Sequence, residues 1–453
     1  MIDGTILPQE WERFRMHADF VQYLTSPLFG YSSTGKSRCI ASSTLSYLGR
    51  LACGTPLLPN LRALYWNLAS PQCTALFPLI SRSIDQLTVM VCRDKIPINE
   101  DERQEWRAFL RSTLSLIVSV STDITDLYLS WWREDHSIAE PVSQLQSLRC
   151  FTLTTEADGN LLRVLAALPS LQDLELHRIM IDEHDTFTQA DAGFLRLQHL
   201  SLIEHPNTTR FYQLFGAPGL QDLRPSFRHA DDYRDVLACC VAWTRHFPLL
   251  EKLVLLVRLG QDADQSPQPY SSILEPLFQL RFLKSIDLDV SPGRLSPHDA
   301  DIEAASHSWP QLVRFWVTVQ HNNTLPSRTE DTDPCIGPSS LVLLASRCPQ
   351  LRYLMLPRVK ISLQDIDALA EFPVLDHRLK TLSLRNMCSD DCALAALLID
   401  RLFPHLLCTL YPPGTAQSES IWGRVQHHVK ICQAARQQQT QRTGPSAQAA
   451  TAA

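Results

Sequence analysis

Between residues 57 and 385 one short apolar phrase returns twelve times, and this recurrence leaves the chain little freedom of fold. The clearest copy runs from Pro169 to Asp182, PSLQDLELHRIMID, with Leu171, Leu174 and Leu176 at L-x-x-L-x-L and Ile179 and Ile181 continuing the apolar set. A strand turns successive side chains to opposite faces, so Leu174 and Leu176 point one way and Asp173, Glu175 and His177 the other. Aligned on their first apolar position, the copies begin at Leu61, Ile84, Ile124, Leu148, Leu171, Leu197, Leu220, Leu250, Leu283, Leu312, Leu351 and Leu379. Several intervals are 23 or 26 residues, whereas those after Ile84 and Leu312 reach 40 and 39, so some turns carry longer connections. A proline stands two residues ahead of the aligned leucine at Pro59, Pro169, Pro218, Pro248, Pro310 and Pro349. Lacking an N–H, it cannot extend a preceding helix, and it marks the return to the strand side.

A phrase of this form at a period of ~20–29 residues is the strand half of a leucine-rich repeat. The intervening segments carry helical signals. Asp231–His246 has an aspartate at its start and Val236, Leu237, Cys240, Val241 and Trp243 on its inner side. Ser296-Pro297-His298-Asp299 sets a capping serine ahead of a first-turn proline and an acidic residue, and Ser362–Asp365 repeats the arrangement. The expected fold is therefore an α/β leucine-rich-repeat solenoid: an irregular horseshoe with a parallel concave sheet, helices on the convex side and helical caps. Ninth positions such as Ala69, Trp132, Glu156 and Arg228 are neither Asn nor Cys, which argues against a regular hydrogen-bonded ladder.

The segments outside the repeats divide as follows. Residues 1–56 form a helical N-terminal cap and loop, with Trp11, Phe14, Ala18, Val21 and Leu24 as one stripe of a helix over 9–24. A second short helix covers Ser43–Ala52. The solenoid occupies 57–410, interrupted by a polar, disordered insertion near 320–338. Residues 411–436 supply a C-terminal capping helix whose inner side is Ile421, Trp422, Val425, Val429 and Cys432. The low-complexity tail 437–453 is disordered.

Composition narrows the function classes. A formal charge of −7 with no clustered Lys/Arg face excludes nucleic acid as a partner. No run of ~18 apolar residues offers a membrane span, and the first residues carry no secretory signal. Thirteen irregularly spaced cysteines read as reduced thiols, which places the chain in the cytoplasm or nucleus.

Chemistry is sparse. Gly30–Ser37 is a literal G-x4-G-K-S, the pattern that wraps phosphates when a buried strand precedes it and a helix starts at the lysine. Here Val21–Leu24 reads as the end of a helix, so a Gly/Ser-rich loop is preferred to a nucleotide site. Cys388 and Cys392 lack a second pair at zinc spacing, and Cys388 reads as a buried core residue. His427-His428 reads as a solvated helix face. No nucleophile–base set emerges from spacing, so no enzyme activity, cofactor or metal is expected. What remains is the row of outward strand residues. Interface hot spots favour Trp, Tyr and Arg, and the candidate partner-binding set is Tyr65, Tyr128, Glu175, His177, Arg224, Trp316, Tyr353 and Arg385, with a protein as the partner.

Leu341–Ser362, LVLLASRCPQLRYLMLPRVKIS, resembles the cysteine-type repeats of F-box proteins. Glu10, Trp11, Arg13 and Phe14, followed by Leu58–Leu64 (LPNLRAL) and a closing helix, resemble the layout of fungal F-box/leucine-rich-repeat proteins. The resemblance implies the substrate-recognition part of a ubiquitin-ligase adaptor. Leu7-Pro8-Gln9-Glu10 is similar to the opening of an F-box, but the helices of that module do not follow it. A cullin-ligase adaptor is thus implied as a partner only with an F-box upstream. Without one, the same repeats describe a stand-alone interaction protein.

Overall fold

The computed structural model describes residues 6–25, 42–68, 70, 74–91, 99–131, 138–180, 193–204, 211–212, 216–230, 233–259, 268–269, 271–291, 295–296, 298–319, 335–362, 374–407 and 420–443. The chain divides into two compact units, Met1–Leu220 and Gln221–Ala453.

The first unit holds seven strands in sequence order: β1 Tyr23–Thr25, β2 Ala63–Leu68, β3 Gln86–Val91, β4 Asp126–Ser130, β5 Cys150–Asp158, β6 Asp173–Met180 and β7 His199–Glu204. All the pairings are parallel. The second unit continues with β8 Asp222–Ala230, β9 Lys252–Leu259, β11 Ser285–Ser291, β13 Arg314–Val319, β14 Tyr353–Ile361 and β15 Thr381–Ser389, again parallel and in order. Among the described residues two short strands, β10 Gln268–Pro269 and β12 Leu295–Ser296, pair with each other. Parallel strands in sequence order, with helices in the connections, make this a leucine-rich-repeat solenoid.

Each of the twelve repeat strands starts two residues after its aligned apolar position, and all twelve of those residues are at most 2% exposed. A backbone device sets this spacing. The last residue before a strand and the first within it both donate to one carbonyl of the preceding repeat. Asp85 and Gln86 donate to Arg62 O, Gln172 and Asp173 to Arg149 O, Val313 and Arg314 to Lys284 O, and Lys380 and Thr381 to Arg352 O. With the register held there, the inner rows align as Leu64–Leu87–Leu127–Phe151–Leu174–Leu200 and Leu253–Ile286–Phe315–Leu354–Leu382.

The long interval after Ile84 is filled by a helix, Glu100–Val120. Asn99 caps it by accepting from Glu102 N at 2.8 Å, three acidic residues follow in the first turn, and Trp106, Leu110, Thr113, Leu114, Ile117 and Val118 form its buried stripe. In the second unit Tyr233–His246, Ser271–Leu277, Asp299–Ser308 and Pro338–Arg347 pack in succession, and Ile421–Thr443 closes on Cys392–Leu402. No described helix is long and apolar enough to cross a membrane.

Several expectations shift. The first helix ends at Ala18 rather than Leu24, and Tyr23–Thr25 joins the sheet against Ala63–Tyr65. The β-branched and aromatic residues at its end favour a pleated strand over another helical turn. Leu7-Pro8-Gln9-Glu10 is a helix start, in which Glu10 Oε2 accepts from Leu7 N at 2.9 Å with proline in the first turn. A strand thus does precede Gly30–Ser37, but it is a three-residue edge with Tyr23 and Thr25 exposed, and the octet itself lies outside the described residues. Of the expected Asp231–His246 helix, Tyr233–His246 is described and Asp231 lies outside the described residues; the helix buries Cys239 and Ala242 in place of Leu237 and Val241. The helix expected from Ser296 begins at Asp299 instead; Asp301 accepts from His298 N at 2.8 Å. Of the expected insertion, residues 320–334 lie outside the described residues, as do 363–365 of the other capping signal. Ile336 already bridges Val359, so the fold has resumed before Pro338. The capping helix spans Ile421–Thr443, beyond Arg436 into the expected disordered tail. Gln and Arg are good helix formers, and Arg436 is tied to Asp400 Oδ1 at 2.6 Å. Cys388 is exposed, because strand alternation buries Met387 beside it.

Other residues stand in for the missing Asn/Cys ladder. Ser81 and Ser83 donate to Leu61 O, Ser121 to Ser81 O, Cys348 to Trp309 O, and His377 Nε2 to Cys348 O. His377 is buried and its Nδ1 accepts from Leu379 N at 3.1 Å, so the ring is held neutral with its proton on Nε2. Burial pushes its pKa down, more than the Cys348 carbonyl raises it. Between the ordinary histidine value of about 6.5 and the lower folded one, the unfolded chain binds the proton first. The contribution of His377 is therefore complete above pH ~6.5 and is lost as pH falls below it. Urea unfolding from neutral to mildly acid pH should show a steeper loss for the wild type than for His377→Asn. Parallel curves would remove the titration from the fold's acid sensitivity; the partly buried His246, also shifted down by burial and Arg245, is common to both proteins.

Candidate functional site

The outward strand residues lie on the face opposite the helices, in registered rows about 4.8 Å apart from strand to strand. In the first unit one row reads Tyr65–Thr88–Tyr128–Thr152–Glu175–Ser201. Tyr65, Tyr128 and Glu175 thus share a single line, with His177 two residues along β6. Tyr65 is 37% exposed, and the His177 imidazole lies 3.7 Å from Glu175. The neighbouring row is Gln86–Asp126–Cys150–Asp173–His199. Here the Cys150 thiol donates to Asp173 Oδ2 at 3.5 Å and is pushed up to about 12, first by burial and then by Asp126 and Asp173. It stays protonated and is a poor nucleophile.

Further along, β5 carries an extra residue between Leu153 and Glu156 relative to β6. This bulge turns Glu156 onto Arg178 at 2.7 Å, and Arg178 also meets Glu204 at 3.9 Å. Glu156 is only 9% exposed, so the arginine compensates a carboxylate removed from water.

In the second unit the rows are Asp222–Lys252–Ser285–Arg314–Tyr353–Thr381 and, beside it, Val254–Asp287–Trp316–Met355–Ser383. Asp222, the first residue of the first of these rows, is buried beneath Arg224 and Lys252, which donate to it at 2.8 Å and 3.1 Å. Burial pushes its carboxyl up, but the hydrogen bonds and charges of Arg224 and Lys252 outweigh this and hold it below the usual range. Met355, on the second row, is 7% exposed and lies next to Trp316 in register. Trp316 and Tyr353 are joined through Arg314. Its Nε donates to Asp287 Oδ1 at 2.6 Å, and its guanidinium carbon lies 4.4 Å from the Trp316 ring centre and 6.0 Å from that of Tyr353. Arg385 falls on β15, with its side chain outside the described residues.

Sequence reasoning named the rings but missed the pairing that orders them. The signal was an Arg-x-Trp spacing on one strand, which puts both side chains on one face, and an aspartate at the matching position one repeat earlier. Among the described residues no group of three or more His, Cys, Asp or Glu is placed to hold a metal ion.

No protein-family model matches the chain, and no curated protein matches its sequence. Among solved structures, an internalin from Listeria monocytogenes aligns at a TM-score of 0.38 and 14% identity, over 86% of this chain and 92% of that one. A structure of a Rad7–Elc1 complex in yeast aligns at a TM-score of 0.32 and 12% identity, over 88% and 87%.

Proposed function

We propose that this chain is a non-enzymatic protein-binding scaffold whose partner lies on the open face of the repeats. One observation carries the reading. The repeat leucines are consumed by the core, yet the opposite face keeps half-exposed rings and guanidinium groups at Tyr65, Tyr128, Arg224, Trp316 and Tyr353. Large side chains of this kind need partial cover to be useful, and water alone gives no reason to keep them there.

A photo-crosslinking residue in place of Tyr65, Tyr128 or Tyr353, expressed in cells, tests this. Defined protein adducts should form at these positions and not at Leu116 or Leu397, which are comparably exposed on the helix side. Adducts concentrated at Leu116 and Leu397 would sink the reading. The resemblance at Glu10–Phe14 and Leu58–Leu64 favours the substrate-recognition part of a ubiquitin-ligase adaptor over a stand-alone interaction protein. Purified cullin-ligase adaptor binding to residues 1–453, or to the same chain extended by its upstream coding sequence, would support the former, and failure of both to bind the latter.

A further inference from the structure

We propose that the open face of Gln221–Ala453 takes an acidic peptide segment of its partner, anchored by a carboxylate on the two Nη atoms of Arg314; this rests on the open-face reading above. Arg314 is already oriented. Asp287 holds Nε, Trp316 stacks against the guanidinium and Tyr353 flanks it, while both Nη atoms are without a partner among the described residues. An arginine held at one nitrogen and one face presents its remaining N–H groups as a fork that matches a carboxylate, with little side-chain freedom left to lose.

Charge complementarity chooses the occupant. Arg352 and Lys380, exposed at the starts of the two following strands, have no ion-pair partner among the described residues. Together with Arg314 they outnumber Asp287, so a basic segment would be repelled and an acidic one drawn in. Asp287 also decides between anions. It neutralises one charge beside the fork, which suits a singly charged carboxylate and disfavours a dianionic phosphate. Tyr353, 37% exposed, and Trp316 offer rings for the aliphatic part of the same segment.

The test uses the full chain and short synthetic peptides with identical apolar residues, whose remaining side chains are carboxylate, amide or ammonium. Fluorescence anisotropy should show binding of the carboxylate series alone, weakening with added salt. Arg314→Lys, which keeps the charge but loses the fork, should weaken it about tenfold. Arg352→Gln with Lys380→Gln should flatten the salt dependence. Thermal unfolding of each variant checks that the fold is retained. Equal binding of amide or ammonium peptides, no binding of any carboxylate peptide, or an unchanged affinity in a folded Arg314→Lys overturns the proposal. Tighter binding of a phosphorylated analogue overturns it as well. If the acidic peptides fail while crosslinks persist at Tyr353, the charge class falls and the open-face reading stands. Crosslinks only at Leu116 and Leu397 remove both.

Discussion

Trp309→Ala should lower the unfolding free energy of the second unit by about 3–5 kcal/mol. Trp309 is fully buried at the end of the helix Asp299–Ser308, with its ring 5.3 Å from Phe278 and 6.4 Å from Phe315. Those partners come from the helix side of the preceding repeat and from its own repeat's strand, so one ring ties two neighbouring repeats. Its carbonyl also accepts from Cys348 in the repeat that follows. Among the described residues the indole N–H has no hydrogen-bond partner, so Trp309→Phe loses packing without orphaning a polar group and should cost less, roughly 1–2 kcal/mol. Urea titration gives the energies, and hydrogen exchange should locate the loss in the flanking repeats, since solenoid stability is passed between nearest neighbours. A loss under about 1 kcal/mol in the alanine variant would show that the site collapses around the gap.

Val425→Asp should detach the closing helix. Val425 and Val429 are fully buried one turn apart, and with Trp422 they are the buried residues of a helix that packs on Cys392–Leu402, itself burying Ala395, Leu398, Ile399 and Leu402. Val425 is fully buried, and burying a carboxylate there costs several kcal/mol, so the helix lifts and uncovers the last repeat. Terminal repeats exist to cover such an edge. The expected result is faster hydrogen exchange in Cys392–Leu402 and Ile421–Thr443 together with concentration-dependent self-association in size-exclusion runs. Arg424→Asp, on the exposed side of the same turn, should stay within about 0.5 kcal/mol of the wild type. A monomeric Val425→Asp with unchanged exchange would mean that the helix is dispensable.

Both variants test features whose legibility differed. The period of the leucines was readable residue by residue: every aligned position is buried and every strand follows it at the same offset, because alternation leaves a strand no other way to use them. Val425 and Val429 were readable for the same reason at helical spacing. Trp309 was not, since it follows its helix and its role depends on a ring contributed from the preceding repeat. The helix boundaries slipped where a local capping signal at Ser296 competed with Asp301, a contest decided by tertiary packing. The candidate site divides along the same line. Alternation alone placed Tyr65, Tyr128 and Glu175 on one row. The Asp222–Arg224–Lys252 cluster and the Asp287–Arg314–Trp316 stack were hidden, because pairing across strands needs the register between repeats, and that register is set by backbone amides that carry no sequence signature.

The shared carbonyl at the start of strands such as β3, β6, β13 and β15 has an implication for how such a chain can change. Because the lateral alignment is settled there, the loop or helix that follows may lengthen, as Glu100–Val120 does, without displacing the residues displayed on the opposite side. Growth on the back and constancy on the front are mechanically uncoupled. A lineage could graft new bulk onto its connections while a recognition grid of fixed pitch persists beneath them.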